Sequence, residues 1–291
     1  MAAQVFRRVS VSGPFSVSRE LRETDLTLNQ ERAGEKGMSL FSLEGKVALI
    51  TGSTKGIGKA IAQRMAEQGA TVVISSRNQD ACDEVAAEIK ARGNKAIGVA
   101  CNINHKDQLQ QLVEKTTAAL GKIDVLVCNA ALNPFFGKSQ DIPDEAFDKI
   151  MQANIGSVHR LCQLVIPGIA ESGGGAVVII SSIGGLKGTD ALGAYAISKA
   201  ADMQIARNLA VEWGPKNVRV NCIAPGLVRT DFAKALWENP DIYAATVKNY
   251  PLRRIGEPDE IAGAAVFLAS QAGSFTTGQT LVIDGGGTIA S

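Results

Sequence analysis

Short runs of β-branched and apolar residues alternate with longer helical patterns from Lys46 onward, and this alternation limits the possible folds more than any other feature. The runs do not alternate polar and apolar positions, which indicates strands that are buried on both faces. Buried strands separated by helices form a parallel sheet with helices on both sides. We therefore predict an α/β domain with a doubly wound parallel sheet of about seven strands, the Rossmann fold, with its ligand site at the carboxyl ends of the strands.

The chain divides into an N-terminal extension and one predicted domain. Residues 1–37 mix Arg, Ser, Glu and Gly without apolar periodicity, so we expect a disordered extension ahead of a single domain over residues 38–291. Arginines among serines give the extension a faint likeness to a mitochondrial presequence, its later acids argue against one, and a translation start at Met38 is the alternative. The predicted strands are 47–51, 71–75, 96–100, 125–128, 176–181, 219–223 and 280–283, and the predicted helices are 57–68, 79–92, 106–120, 144–171, 194–213 and 258–269.

Composition narrows the kinds of partner. A net charge of +1 and a pI near 7.6 give no reason to expect nucleic acid or an anionic membrane, and no apolar run is long enough to span a bilayer. The two histidines lie far apart without clustered Cys or Asp neighbours, so neither a metal site nor a Ser-His-Asp triad is predicted. The five cysteines form no C-x-x-C pair, which favours buried free thiols in a reducing compartment such as the cytoplasm.

A glycine-rich turn follows the first predicted strand and precedes a helix. Gly52 permits a tight exit from the strand, Gly56 lets the backbone approach a pyrophosphate, and Gly58 lets the helix pack closely against the sheet. The amides at the helix N-terminus then face the negative charge. The spacing is G-x-x-x-G-x-G, and its position between strand and helix predicts a dinucleotide-binding site.

The residues after the second strand predict which dinucleotide binds. An acidic residue at this place usually accepts the ribose hydroxyls of NAD, but this chain has Ser76 and Arg77 there. Arg77 offers a planar set of donors, and Lys55 in the glycine turn adds a second positive charge for a 2′-phosphate. We therefore predict NADP(H), with two solvated surface cations as the alternative interpretation.

Four further residues form a candidate catalytic set. Tyr195 and Lys199 are spaced i, i+4, so on a helix both side chains lie on one face. Ser182 follows an apolar strand, and Asn154 lies in the preceding predicted helix. The carboxyl ends of the strands bring such residues to one edge of the sheet.

With these residues the sequence resembles the short-chain dehydrogenase/reductases, from about Leu43 to Gly287. The shared motifs are T-G-x-x-x-G-I-G at 51–58, the catalytic set above, P-G with a following Thr at 225–230, and the closing G-Q-T-L-V-I-D-G-G at 278–286. More narrowly, residues 129–137 and 253–258 resemble NADPH-dependent carbonyl and retinal reductases of the peroxisomal type. The chain departs from the wider family at 128–131, C-N-A-A instead of N-N-A-G, and at Asn102, where Asp is commoner.

The resemblance implies a role for each member of the set. Tyr195 would protonate the carbonyl oxygen as hydride arrives, and Lys199 would stabilise its phenolate and bind the nicotinamide ribose. Ser182 would donate to the substrate oxygen, and Asn154 would hold a water that links Lys199 to solvent. The cofactor-binding residues expected from the turn and the resemblance are Gly52, Ser53, Lys55, Gly56, Ile57, Gly58, Ser76, Arg77, Asn102, Ile103, Asn129, Ala130, Tyr195, Lys199, Pro225, Gly226, Val228 and Thr230.

Large apolar side chains in two loops indicate the kind of substrate. Phe135 and Phe136 follow the fourth strand, and Trp237 lies in the segment after the sixth, which in this family closes over substrate. Together with Ser182 and Tyr195 they are the predicted substrate contacts, and they favour an apolar aldehyde, ketone or dicarbonyl over a sugar. Packing of the two phenylalanines within their loop or at a subunit interface is the alternative. Other residues considered in these segments are Leu132, Phe232, Leu236 and Tyr243.

Other functions stay open from the sequence. A reductase of acyl carrier protein thioesters shares many of these motifs and would need a basic docking patch, for which Arg160 and Arg207 are candidates. A sugar-type dehydrogenase is a third enzymatic possibility, and a dinucleotide sensor without activity is a non-enzymatic one. The family resemblance and the helices predicted from small residues also lead us to expect a homotetramer.

Overall fold

The computed structural model describes residues 39–290, which form an α/β domain around one seven-stranded sheet. All neighbouring strands are parallel. The strands are β1 (Val47–Thr51), β2 (Thr71–Ser75), β3 (Lys95–Gly98), β4 (Val125–Cys128), β5 (Gly175–Ile180), β6 (Val218–Pro225) and β7 (Thr280–Ile283). The helices are α1 (Gly56–Glu67), α2 (Gln79–Ala91), α3 (Lys106–Leu120), α4 (Asp144–Ile150), α5 (Ser157–Glu171), α6 (Gly193–Trp213), α7 (Lys234–Trp237), α8 (Pro240–Asn249) and α9 (Pro258–Ala269).

The order of strands across the sheet places the ligand cleft. The order is β3-β2-β1-β4-β5-β6-β7, so the chain runs from β1 to one edge and then returns to β4 on the other side of β1. In open parallel sheets, the loops that leave the carboxyl ends on either side of such a reversal diverge and form a crevice. The loops after β1 and β4 therefore border the cleft, as the predicted doubly wound fold requires.

The sheet is buried on both faces, which explains the continuous apolar runs. Every residue of β1 is buried, with Ala48 and Ile50 packed on one side and Val47 and Leu49 on the other. The first side is covered by apolar residues of α1, α2 and α9, and the second by those of α3, α5 and α6. These two layers confirm the prediction of a Rossmann-type sheet with helices on both faces.

The long helix predicted over 144–171 is divided in the structure. A π-helical segment, Met151–Gly156, separates α4 from α5, and the amide of Ser157 donates to the carbonyl of Gln152 five residues earlier. The apolar pattern continues through this segment, so periodicity alone could not show the extra residue in the helical turn. Such segments occur often at functional sites, and this one contains Asn154.

Two helices between β6 and α9 were not predicted. The second, α8, begins after Asn239, whose side chain accepts hydrogen bonds from Asp241 N and Ile242 N, and Pro240 occupies its first turn. An Asn-Pro start is a recognised helix signal, which the sequence analysis did not use. The predicted disorder of residues 1–37 lies outside the described residues. Within 39–290, no helix has the length and apolar character needed to cross a membrane.

Candidate active site

The glycine turn after β1 has a backbone that needs its glycines. Gly52 and Gly56 have φ values of +64° and +56°, in the left-handed region where residues with a Cβ are strained. A Cβ on Gly58 would lie 2.3 Å from the carbonyl oxygen of Gly52, so any larger residue would push helix and turn apart. Ile57 packs partly buried against the apolar layer beneath the turn. The turn therefore keeps α1 close to the sheet, with its N-terminus at the cleft.

Two polar side chains among the predicted cofactor contacts, Ser53 and Asn129, hold the turn in place. The Ser53 hydroxyl is fully buried, donates to Ile50 O at 2.7 Å and accepts from Ser75 N at 2.9 Å. Asn129 Nδ2, from the loop after β4, donates to the carbonyls of Thr51 and Gly52 at 3.0 Å. The amide of Ala130 donates to the hydroxyl of Thr51. These bonds join the loops after β1, β2 and β4 into one rigid rim of the cleft.

The two predicted phosphate-binding cations differ in their surroundings. Arg77 is exposed at the end of β2, and within residues 39–290 it makes no hydrogen bond or ion pair. Lys55 instead forms an exposed ion pair with Asp231 at 3.2 Å. Ser76 lies beside Arg77, and its hydroxyl is 3.3 Å from the sulfur of Cys82. The structure thus leaves Arg77 available for an anion and gives Lys55 a competing partner.

The loop after β3 contains the predicted adenine-side residues. Asn102 Oδ1 accepts from the amide of Asn104 at 3.2 Å, and the amide of Asn102 donates to Gln108. Ile103 packs partly buried against the second apolar layer. The Asn102 side chain therefore shapes the loop, and its Nδ2 group makes no hydrogen bond within the described part of the chain.

The loop after β6 closes the cofactor side of the cleft. Pro225 ends β6, and Gly226 N donates to Ile283 O at the end of β7. Val228 is buried, and its backbone pairs with Gly256. A Cβ on Gly56 would lie 3.2 Å from Thr230 Cγ2, so Thr230 lies directly against the glycine turn. The loop after β6 therefore meets the glycine turn after β1 at this point.

Ser182 and Tyr195 flank the same point beyond β5. A Cβ built on Gly184 would lie 3.4 Å from Ser182 Oγ and 3.9 Å from Tyr195 Cε1. Ser182 Oγ accepts from Gly184 N at 3.0 Å, which fixes the side chain and leaves its own hydroxyl proton free to donate. The serine hydroxyl and one edge of the tyrosine ring therefore both lie next to Gly184.

Lys199 reaches the site from beneath Tyr195. Lys199 is 3% exposed. Its ammonium lies 5.7 Å from the Tyr195 ring centroid and donates to Ile180 O at 2.8 Å. It also forms an ion pair with Asp202 at 3.0 Å. Burial works to lower the pKa of Lys199, but attraction to Asp202 and Tyr195 outweighs it and raises that pKa above its ordinary value. The site therefore contains a protonated lysine at neutral pH.

Asn154 connects the two sides of the site through its amide. Its Oδ1 accepts from Leu132 N at 2.9 Å, and its Nδ2 donates to Leu132 O and to Ser198 Oγ at 3.0 Å. Ser198 in turn donates to the carbonyl of Tyr195. Asn154 thus ties the loop after β4 to α6.

Of the predicted apolar contacts, Phe135 lines a pocket beside Tyr195, whereas Phe136 and Trp237 are not in its lining. Its lining includes Asn133, Phe135 and Leu192, and Asn133 Oδ1 is buried without a hydrogen-bond partner in the described residues. Phe136 is 63% exposed. Trp237 donates to Thr230 O and lies against Arg229, so it anchors its own loop.

Phe232 was not among the predicted substrate contacts, but its ring lies near that of Tyr195. Within the described residues, Trp237 makes no ring contact with Tyr195. The ring centroids of Phe232 and Tyr195 are 6.1 Å apart, and Phe232 is 57% exposed. Its position two residues after Thr230, in the segment after β6, was the available signal.

The five cysteines are all buried and free. A hydrogen bond with Cys162 and burial raise the pKa of Cys128, burial raises that of Cys222, and burial raises that of Cys101 to about 11. Such thiols are poor nucleophiles. Within residues 39–290, no three His, Cys, Asp or Glu side chains are grouped so that they could hold a metal ion.

The cleft fits a nicotinamide dinucleotide by its backbone and its charges. The glycine turn and the N-terminus of α1, which begins at Gly56, suit a pyrophosphate. The Lys199 ammonium has three donors and uses two of them on Ile180 O and Asp202. The third donor suits a ribose hydroxyl. When bound, the dinucleotide would supply or accept a hydride.

The chain is similar to known proteins over most of its length. A family model described as enoyl-(acyl carrier protein) reductase matches residues 52–288. Dehydrogenase/reductase SDR family member 4 of Bos taurus is 43% identical over 244 residues, which are 84% of this chain and 88% of the relative.

Solved structures show the same fold. A 7α-hydroxysteroid dehydrogenase complexed with NADH and 7-oxo glycochenodeoxycholic acid has a TM-score of 0.82 and 40% identity, with 85% of this chain and 96% of that chain covered. A gluconate 5-dehydrogenase of Burkholderia cenocepacia, in complex with NADP and tartrate, has a TM-score of 0.84 and 31% identity, with coverages of 87% and 99%. The chain therefore belongs to the short-chain dehydrogenase/reductase family and is an NAD(P)-dependent oxidoreductase that interconverts carbonyl and alcohol groups.

Proposed function

We propose that this protein is an NADPH-dependent reductase of apolar aldehydes, ketones or dicarbonyls. The observation that carries the proposal is the pair formed by Ser182 and Tyr195, which flank one point at the carboxyl end of β5 with Lys199 buried behind the tyrosine. Two hydroxyl donors beside one protonated lysine stabilise a carbonyl oxygen on which negative charge develops.

Each residue of the set has a distinct task in the proposal. Tyr195 gives its hydroxyl proton to the substrate oxygen during reduction and removes it during oxidation. Ser182 donates a hydrogen bond to the same oxygen, with its orientation set by Gly184. Lys199 stabilises the tyrosinate by its charge. Asn154 keeps the loop after β4 and α6 at a fixed separation through Leu132 and Ser198.

The preference for NADP(H) rests on Arg77. Its guanidinium is exposed at the end of β2 with no partner among the described residues, and the neighbouring Ser76 presents no negative charge to a 2′-phosphate. Lys55 is a weaker contributor, because Asp231 already pairs with it. The related structures contain NADH in one case and NADP in the other, so the residues at the end of β2 must decide.

The preference for apolar substrates rests on the side chains around Tyr195. Phe232 and Phe135 border the space beside the tyrosine, and both are carried on loops. A polyhydroxylated sugar would need several polar partners in this space, where the polar side chains of the lining are those of Asn133, Ser139 and Tyr195.

A screen of carbonyl compounds tests the proposed function. NADPH oxidation is followed with aliphatic and aryl ketones, aldehydes, diketones, quinones, sugars and acyl thioesters, each repeated with NADH. We expect the highest kcat/KM on apolar carbonyls with NADPH. Selective turnover of acyl thioesters or of sugars, or equal efficiency with both cofactors, would contradict it.

We also propose a homotetramer built partly through α5 and α6. Two apolar side chains on α6, Ile197 and Val211, are 55% and 82% exposed, and Arg160 on α5 has a buried nitrogen without a partner within the described residues. Burial of these groups between two copies would give isologous contacts. Light scattering at micromolar concentration should give four times the monomer mass, and a monomer would refute it.

We propose the cytoplasm as the location, because five free thiols suit a reducing compartment. Cell fractionation of the full chain tests this, and recovery in an organelle fraction would contradict it.

A further inference from the structure

A buried carboxylate lies next to the catalytic lysine. Asp202 follows Lys199 by three residues on α6, its side chain is 0% exposed, and its Oδ2 is 3.0 Å from the lysine Nζ. Its Oδ1 has no hydrogen-bond partner in the described residues. A carboxylate with one bare oxygen in the core is costly, so its presence requires a reason beyond packing.

The carboxylate takes part in orienting Lys199. An ammonium group has three donors, and Lys199 uses one on Ile180 O at 2.8 Å and one on Asp202. Both acceptors are buried and lie on rigid elements, the end of β5 and the helix α6. The side chain therefore cannot swing away from Tyr195 without giving up a charge-assisted bond, and its last donor has a fixed direction.

The other groups around Asp202 do not neutralise it. The thiol of Cys222, on β6, donates to the Asp202 backbone oxygen at 3.3 Å, while Cys128 on β4 and Cys162 on α5 belong to the same buried layer. The thiols of Cys222 and Cys128 are neutral, because burial raises the pKa of Cys222, and a hydrogen bond and burial raise that of Cys128. Arg207 is exposed and bonds to Gln204. Lys199 is thus the cation that balances this carboxylate.

We propose that Asp202 is a positioning residue that holds the Lys199 ammonium and offsets part of its charge, and thereby sets the pH at which Tyr195 gives up its proton. The proposal deepens the proposed function, because it assumes that Tyr195 is the acid/base group. The pH at which the proton donor Tyr195 ionises then depends on Lys199, and the position of Lys199 depends on Asp202. All three residues lie on α6.

The electrostatic directions agree with this arrangement. Burial raises the pKa of Asp202, and the neighbouring Lys199 offsets part of that rise. The pKa of Lys199 is raised because the attraction of Asp202 outweighs burial. The charge of Lys199 is also supported by its attraction to Tyr195, so it does not rest on Asp202 alone.

Removal of the negative charge should favour the tyrosinate. With Asn at position 202, the full positive charge of Lys199 acts on Tyr195, so the phenolate forms at a lower pH. Unit charges several ångströms apart at an effective dielectric near 20 shift a titration by on the order of one pH unit.

An ultraviolet difference titration measures this shift without turnover. The chain has three tyrosines, so phenolate absorbance of a Tyr195→Phe variant, subtracted from that of the parent, isolates Tyr195. We expect the Tyr195 midpoint of Asp202→Asn to lie about one pH unit below that of the unmutated protein. An unchanged or higher midpoint would overturn the proposal.

Asp124→Asn is the matched control. Asp124 is also buried and also pairs with lysines, Lys46 and Lys122, but those lysines are half-exposed and the site lies at the amino end of β4. This variant should lower the melting temperature and leave the Tyr195 midpoint in place. A shift of equal size in the control would show a general effect of lost stability and would also overturn the proposal.

Two further measurements keep the outcomes distinct. Asp202→Val removes the charge at similar volume and should shift the midpoint in the same direction; if neither variant folds even with saturating NADPH, the carboxylate is structural and the proposal fails. In active enzyme, the acidic limb of kcat/KM for alcohol oxidation should fall with the phenolate midpoint. A shifted midpoint in a protein that reduces no carbonyl would contradict the proposed function alone, whereas an unshifted midpoint in an active enzyme would contradict the role of Asp202 alone.

Discussion

The two sides of the cleft are built in different ways. On the cofactor side, the backbone makes the surface: Gly52 and Gly56 occupy left-handed conformations, and Ser53 and Asn129 are used up in hydrogen bonds that hold the turn. On the substrate side, side chains make the surface, and Phe136 and Phe232 are more than half exposed on loops.

The difference shows which side tolerates change. A backbone surface has no spare volume, because a Cβ at Gly58 would meet the Gly52 carbonyl at 2.3 Å. A loop surface of exposed side chains exchanges shape at little cost to the fold. We infer that the cofactor side is fixed by packing and that substrate choice resides in the loops after β4 and β6. Two members of the proposed catalytic set between the two sides, Lys199 and Asn154, are buried and belong to the rigid part.

Tyr195→Phe tests the junction of the two sides and should have the largest effect. Loss of a positioned acid costs about 10²- to 10⁴-fold in kcat, while NADPH affinity should persist because the ring remains. Stopped-flow turnover and a fluorescence titration of NADPH separate the two quantities. In the control Tyr250→Phe, which removes a hydroxyl that accepts from Leu227 N, stability should fall by about 1 kcal/mol with turnover retained. A Tyr195→Phe enzyme with more than a few per cent of its rate would need a different acid.

Arg77→Ala tests whether a side chain also matters on the cofactor side. Charge-assisted contacts to one phosphate contribute about 1.5–3 kcal/mol, so the KM for NADPH should rise roughly ten- to hundred-fold, with little change for NADH. Steady-state kinetics with both cofactors measure this. Arg92→Ala, an exposed arginine after α2, is the matched control and should change neither KM. Equal losses for NADPH and NADH would mean that Arg77 does not contact the 2′-phosphate.

Gly58→Ala tests the claim that the cofactor side has no spare volume. The added Cβ meets backbone, and overpacking of this kind costs about 1–3 kcal/mol, which corresponds to roughly a five- to hundred-fold loss of NADPH affinity or the same loss of stability. Thermal unfolding and a binding titration give the division between the two. Gly263→Ala on α9, where a Cβ meets nothing within 4 Å, should instead leave binding unchanged and stabilise the helix slightly. If Gly58→Ala kept both its NADPH affinity and its stability, the claim that the cofactor side has no spare volume would be wrong.

Phe232→Ala tests the substrate side and should have the smallest effect on the protein itself. The catalytic efficiency for a series of ketones should rise with chain length in the parent by roughly 0.8 kcal/mol for each methylene that is buried, and the slope should become shallower in the variant. Melting temperature and NADPH affinity should not change. Phe275→Ala, a fully exposed phenylalanine before β7, is the control and should keep the parent slope. An unaltered slope in Phe232→Ala would place substrate elsewhere.

The parts of the fold that depend on local chemistry were predictable. Strands buried on both faces need continuous apolar runs, so all seven strands were predicted within two residues at each end. The glycine turn was equally clear, because Gly52 and Gly56 have a conformation that few other residues adopt. The family resemblance was confirmed by the match to the family model and by the relatives.

The parts that depend on tertiary contacts were not predictable. The π-helical segment around Asn154 spans six residues and depends on hydrogen bonds to the fifth preceding residue, which leave no trace in apolar periodicity. The inward orientation of Ser53 and the pairing of Lys55 with Asp231 depend on which loops meet in space. Asp202 was missed because an acid on a helix usually faces solvent, and only the packing of α6 on β5 and β6 shows it to be buried beside Lys199.

An isotope-transfer experiment tests the central claim that hydride is delivered to a carbonyl carbon. The substrate is an α,β-unsaturated ketone, which offers both a C=O and a C=C bond, and the cofactor is NADPH deuterated at the transferable position of the nicotinamide. We expect an allylic alcohol with one deuterium on the carbinol carbon. The unmutated protein should form it, and Tyr195→Phe should not. A saturated ketone with deuterium on the former alkene carbon would contradict it.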